Sequence, residues 1–385
     1  MGVRRILGTV LGCAVLAVVV AAPAQAHVLQ VSEFKLSDAK LAQIRQHQMD
    51  RLLATHRMHT WAPIPTRLTD SDLKLMGLPP KRFLLGKRFP VPTAVYPDGK
   101  MVRLAAKGGK GGKPSGGGGG GSGGTTSETP IVSFAGTGFF GIRPGAWLLT
   151  VTDQEIGWCS MAHVYGAPGS YAVSTAGHCG KNGDIGTVIG VVGDHSGGVG
   201  TAVPVLLDFG KYCSSTGDAG IGRDWALICV DPEDQPLVTP TMAFWGGPIG
   251  MFTSTGSVVS ADLIKGSVTT DPNPTLVQQI VHYGHGAGVG AGGTPRSGTG
   301  VNWFSNYFTY FGAITPGDSG SGSNVLTGDA VGDNREAAGI NTHIFVDGSL
   351  RTGLGNVAGT RATLVRATLA NGQILPYPAP LPILP

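Results

Sequence analysis

Charged side chains are scarce in this chain, at 14% of 385 residues, and aromatic ones scarcer still, at 7%. So little charge argues against a helical protein. With 63 glycines, the balance favours a compact β-rich chain with many turns. Long apolar runs are missing beyond the first residues, where residues 6–22 form one. No later stretch approaches the ~20 apolar residues of a membrane span. Cysteines number five, and none are spaced as a Cys-x2-4-Cys knuckle, which argues against zinc binding by cysteine as the competing reading.

The opening run itself reads as an export signal, residues 1–26. Arg4 and Arg5 precede the apolar run, and Ala24-Gln25-Ala26 forms a small-residue cleavage site, so the mature chain begins at His27. Val10-Leu11-Gly12-Cys13 faintly resembles a lipoprotein box, but the apolar run continues well past Cys13. Export removes Cys13 and leaves Cys159, Cys179, Cys213 and Cys229, an even number for an oxidising compartment and compatible with three pairings. The expected location is extracellular, with the cell wall as an alternative home.

Charge divides the mature chain. Residues 27–113 carry 16 Lys+Arg against 6 Asp+Glu, and the remainder carries 10 against 18. Opposite signs favour docking of residues 27–106, a basic pro-region or accessory segment, onto the acidic remainder; gripping an anionic cell wall is the competing use. Because the later region is acidic, nucleic acid is not expected as a partner. Within the basic segment Ser37 or Asp38 caps a predicted helix to about Arg57, with Leu41, Ile44, Met49, Leu52 and Leu53 near one face. Residues 107–129 form a Gly-rich linker whose three lysines offer cleavage points to basic-specific proteases. A Pro-rich tail occupies 371–385.

From residue 130 to 370 short apolar runs alternate with Gly, Asn, Asp and Pro, the pattern of a β barrel or sandwich. Expected strands are 147–152, 157–163, 171–174, 187–192 and 225–230 in a first half, then 237–245, 256–260, 276–282, 304–311 and 337–345 in a second. A helix is expected over 358–369.

Three stretches carry chemistry. Thr315-Pro316-Gly317-Asp318-Ser319-Gly320-Ser321-Gly322 frames a serine with glycines that let the chain turn tightly and bring amides near a substrate. A serine hydroxyl is a poor nucleophile alone and needs a base, a carboxylate to orient the base, and donors for an oxyanion. Ser174-Thr175-Ala176-Gly177-His178-Cys179 offers the base, Asp224 at the head of an apolar strand offers the carboxylate, and the amides of Gly317 and Ser319 offer the donors.

At these residues the chain resembles the chymotrypsin-like serine peptidases, whose catalytic residues run in the order His, Asp, Ser. Here His178, Asp224 and Ser319 are separated by 46 and 95 residues. The resemblance implies an all-β protein of two six-stranded antiparallel Greek-key barrels with a short C-terminal helix, the site lying between them. It further implies a secreted, monomeric serine endopeptidase acting on protein or peptide substrates without a cofactor or metal. Disulfides Cys159–Cys179 and Cys213–Cys229 are the pairing it favours. Asp318 would pair either with a freed N-terminus at Ile131, against which Pro130 stands, or with an internal arginine such as Arg143. Ala313, six residues before the serine, gives no support for cleavage after Arg or Lys. Thr342 and His343 would line the specificity pocket, with a small or apolar substrate side chain preferred over an acidic one held by His343.

Other classes compete. A binding protein on the same fold would have lost a catalytic residue, and none is missing; an esterase of the α/β-hydrolase type would place its serine first. His282-Tyr283-Gly284-His285, His27, or a calcium site among the aspartates of 218–234 are the metal alternatives.

Overall fold

In the computed structural model the chain is described over residues 28–106, 131–133, 141–192, 203–257, 279–327 and 334–368, with gaps at 35, 167, 243, 254–255, 285 and 287–293. The signal, His27, the linker, Pro130, His285 and the Pro-rich tail lie outside the described residues.

Two β units carry the fold. In the second, the strands Gln279–Gly284, Thr294–Trp303, Tyr307–Ala313, Leu354–Arg361, Asn334–Phe345 and Gly322–Thr327 pair antiparallel in that order, and the last returns to the first. That closes a six-stranded barrel. The first runs Ile156–Ser160, Trp147–Val151, Ile185–Val192, Val203–Ser215, Ala226–Val230, Ala172–Thr175. Its ends meet where Ala162 N–H donates to the Ser174 carbonyl and Ser174 N–H to that of His163. The expected all-β, two-barrel class holds, with helix Ala362–Thr368 beginning only after the last strand ends.

Alternation of apolar and small residues explains both interiors. Leu148, Val173, Val188, Leu207, Phe209 and Ile228 fill the first barrel, while Ile280, Val301, Phe308, Val325, Ile344 and Val357 fill the second. Expectation and structure part over 237–245, whose described residues follow the 3-10 turn Gln235–Leu237 as loop rather than as a strand. Pro240 denies that stretch a ladder donor.

The basic segment is built into both sheets. Its strand Val28–Glu33 pairs with Ile185–Val192, Thr93–Val95 with Val203–Ser215, and Trp61–Pro63 with Asn334–Phe345. The predicted helix spans Asp38–Thr55 and buries Leu41, Ile44, Met49 and Leu52, as its apolar spacing requires. Ser37 stands at the N-cap without a side-chain capping bond.

Candidate active site

A 3-10 turn, Gly177–Cys179, carries His178 out of the strand Ala172–Thr175 of the first barrel. The Cys159–Cys179 disulfide ties that turn to the neighbouring strand, and Cys213–Cys229 cross-links two strands further round. Asp224 comes from the loop just before Ala226–Val230 and is fully buried. Its Oδ2 lies 2.6 Å from His178 Nδ1, and its Oδ1 accepts the His178 main-chain N–H at 3.1 Å. One carboxylate oxygen therefore orients the ring and the other holds its main chain. Thr360 holds the Asp224 backbone by donating to its carbonyl.

Ser319 sits on a tight loop from the second barrel. Its carbonyl accepts from Ser160 N–H at 2.7 Å, Ser160 Oγ donates to the Gly317 carbonyl at 2.8 Å, and Gly320 N–H donates to Asn341. The loop is thus stapled to both barrels. Ser319 Oγ lies 2.5 Å from His178 Nε2. With Nδ1 donating to Asp224, Nε2 is left as the acceptor for the serine proton.

Gly317 has φ +89°, and a Cβ there would meet the Trp158 ring at 2.3 Å. Only glycine fits this backbone and this space. Among the described residues the amides of Gly317 and Ser319 have no hydrogen-bond acceptor, so two main-chain donors beside the serine are free. Burial by itself would disfavour a charged His178, but the Asp224 carboxylate, through charge and hydrogen bond, outweighs it together with Asp218 and the Ile64 carbonyl. The imidazole pKa is raised above its ordinary 6.5.

Asp318 is buried and pairs with Arg296, from the strand Thr294–Trp303, and accepts from the amides of Gly286 and Thr315. Arg143, named from sequence, instead reaches the Thr241 carbonyl, and Ile131 lies in a strand beside Val28. Sequence reasoning missed Arg296 because its strand was not expected. The signal was there: one arginine in the otherwise uncharged run Thr294–Trp303.

The specificity candidates are spread out. The Ala313 carbonyl accepts from His282 Nε2 at 3.0 Å, and Thr342 is buried with its hydroxyl donating to Ala358. His343 lies with its ring 6.3 Å from that of His178, its Nδ1 2.9 Å from Thr342 Oγ1 and its Nε2 3.7 Å from Asp218. It faces carboxylates already, which leaves little attraction for an acidic substrate side chain. His343, Asp218 and Asp224 also bring ligand atoms within 4.8 Å of one another, but Asp224 is committed to His178. His282 is buried, with its Nε2 on the Ala313 carbonyl, and its sequence neighbour His285 lies outside the described residues.

Ser319 is entirely buried, and His178 nearly so. Residues 63–67 of the basic segment cross above them. On one flank of that crossing a cavity of about 380 Å³ reaches His178 between Gln48, Arg51, Arg67 and Asp218; on the other, one of about 310 Å³ reaches it past Thr66, Gly157 and Lys181.

No family model matches the chain, and no curated protein does. Among solved structures it is similar to Thermobifida fusca Protease A at 19% identity, over 59% of this chain and 94% of that one, with a TM-score of 0.32. A glutamic acid specific serine protease described as using a histidine triad in substrate binding matches at 16% identity, over 59% and 96%, with a TM-score of 0.33. The thermostable serine protease AL20 from an extremophilic microorganism matches at 17% identity, over 56% and 89%, also at 0.33.

Proposed function

We propose that the chain is a secreted serine endopeptidase that cleaves peptide bonds through an acyl-enzyme on Ser319. The observation that carries this reading is the continuous path from Ser319 Oγ to His178 at 2.5 Å and on to Asp224 at 2.6 Å, beside two free amides. His178 takes the hydroxyl proton as Ser319 attacks the carbonyl, then returns it to the leaving amine. Asp224 holds the tautomer and stabilises the imidazolium. The Gly317 and Ser319 amides receive the oxyanion, a contribution of about 2.7–4 kcal/mol per donor where one has been removed elsewhere. Export rests on the N-terminal signal and on two disulfides that an oxidising compartment would preserve.

A fluorophosphonate probe followed by mass mapping tests the reading directly. The expected result is an adduct on Ser319, absent in Ser319→Ala, with Asp224→Asn still folded but slowed by roughly 10⁴-fold. A folded chain in which Ser319 never reacts, even after the basic segment has been displaced or removed, would instead make this a binding protein on a peptidase fold.

A further inference from the structure

Residues 61–68 of the basic segment lie in the cleft as a peptide substrate would have to lie. Trp61, Ala62 and Pro63 pair antiparallel with Phe345, Ile344 and His343, and Ile64 N–H continues the ladder by donating to the Thr342 carbonyl at 3.0 Å. Beyond the crossing, Trp158 N–H donates to the Thr66 carbonyl at 2.7 Å, Arg67 bridges to Gly157, and Leu68 N–H donates to Ile156 at 3.0 Å. The strand is therefore gripped by the second barrel before the crossing and by the first barrel after it. Main-chain bonds of this kind hold an extended peptide of almost any sequence, leaving selection to side-chain pockets.

The register singles out one bond. Ile64 O lies 3.2 Å from His178 Nε2, so the carbonyl presented to Ser319 is that of Ile64, and the bond in question joins Ile64 to Pro65. The Ile64 side chain is fully buried in the apolar cluster that includes Ile314, Tyr310 and Ile344. Ile314 adjoins Ala313, on the stretch leading to the nucleophile loop. An apolar cluster of this kind accepts an aliphatic side chain and disfavours a charged one.

Three features make the bond resistant. The Ile64 carbonyl points to His178 and not to the Gly317 and Ser319 amides, which remain without an acceptor among the described residues. Nε2 can donate to that carbonyl only as the imidazolium, which cannot take the serine proton. Finally, the nitrogen that would leave belongs to proline, with a ring in place of a hydrogen.

The strand is braced from behind. Gln48 Nε2 donates to the Arg67 carbonyl at 2.9 Å and to Asp72 at 2.8 Å, Met49 and Leu52 share the apolar cluster of Ile64, and ion pairs Arg67–Glu155 and Asp50–Arg351 tie segment to body. The net positive charge of the segment against the acidic remainder acts in the same direction.

We propose that residues 61–68 are a built-in stand-in for the substrate, with Ile64 in the primary side-chain pocket: the folded chain is latent, and once this strand leaves it accepts polypeptides with a bulky aliphatic residue at that place. The proposal rests on the peptidase reading above, and the test separates the two. Labelling rates of Ser319 by a fluorophosphonate are compared in the full secreted chain, in Ile64→Asp, which places a charge in the apolar pocket, and in Ile64→Ala, which keeps the chain foldable if the aspartate does not. The activated variant is then given a mixture of synthetic peptides, and the cut sites are read by mass spectrometry.

Labelling at least tenfold faster in Ile64→Asp, or several-fold faster in Ile64→Ala, with cuts after Ile, Val or Leu, is the expected result. Equal labelling of Ser319 in all three chains overturns the latency and leaves the reaction standing. Cuts after Lys, Arg, Asp or Glu overturn the pocket assignment. Folded chains in which Ser319 reacts in none of the three remove the peptidase reading and this inference with it.

Discussion

Asp318 and Arg296 form an ion pair inside the second barrel, both side chains essentially shut off from solvent. The carboxylate also collects the amides of Gly286 and Thr315, while Arg296 Nη2 donates to the Gly286 carbonyl at 2.8 Å. The loop that bears Ser319 is thereby anchored by a group from within the sheet. No new N-terminus is needed to neutralise Asp318.

Arg296→Met should therefore be costly for both fold and site. It leaves a buried carboxylate with amide donors but no counter-charge, a defect worth about 3–5 kcal/mol. Chemical denaturation should show that loss, and Ser319 labelling should slow in whatever fraction stays folded. Arg296→Lys, which keeps the charge but not the fork that also reaches Gly286, should recover part of each. Wild-type stability in Arg296→Met would mean that the amides alone hold Asp318.

Gly317→Ala tests the free amides. Its methyl would fall against the Trp158 ring at a backbone angle that alanine disfavours, so the loop must shift and take the donor with it. The expected loss in an activated background, such as Ile64→Asp, is about 10²–10³ in kcat with little change in KM, the pattern of a donor used only in the transition state. A matching rise in KM with kcat intact would place Gly317 in ground-state binding instead.

Legibility in the sequence depends on how local each signal is. His178, Asp224 and Ser319 announce themselves because the turn residues that shape each loop are their sequence neighbours. The strand Val203–Ser215 escaped notice, although it is the longest in the first barrel, because Pro204, Asp208, Gly210 and Lys211 interrupt its apolar pattern. Arg296 was missed in favour of Arg143 because only the sheet register decides which arginine faces inward. The role proposed for Ile64 has a faint local trace: Pro63 and Pro65 on either side hold the chain extended, but nothing near them in sequence names the strand they would meet.

On the proposed mechanism His178 sets the acid limb of activity. His178 must be neutral to accept the serine proton, and its pKa is raised, burial opposing the charge and Asp224, Asp218 and the Ile64 carbonyl favouring it. Activity should rise with pH through a midpoint above 6.5, falling about tenfold per pH unit well below it. Asp224→Asn removes the main source of the upward shift and should move the midpoint down while lowering the plateau. Measuring kcat/KM against pH in an activated variant checks both; a midpoint below 6.5 in the activated variant that keeps Asp224 would count against His178 as the base.

Stability should respond to acid through two other histidines. His163 bonds Asn324 through Nε2, and His282 bonds the Ala313 carbonyl, each fully buried. Burial lowers both pKa values to about 4 from an ordinary 6.5, opposed only in part by the Asn324 hydrogen bond at His163 and by the Asp318 charge at His282, where Arg296 adds to the lowering and the Ala313 hydrogen bond opposes it weakly. At these two positions the unfolded chain therefore binds more protons than the native one between these limits, so their contribution to stability is full above pH 6.5 and drains as pH falls towards 4, while Asp234, which burial pushes up to about 7, contributes in the opposite direction. The shift corresponds to about 3 kcal/mol for each histidine. Urea unfolding across that window in Ser319→Ala, which avoids self-digestion, with and without His163→Asn, isolates the histidine contribution. His163→Asn should make the stability of the chain less sensitive to acid across that window by the share that His163 contributes, whatever its effect on stability at neutral pH. A slope unchanged by that substitution would mean that His163 titrates normally in the folded chain.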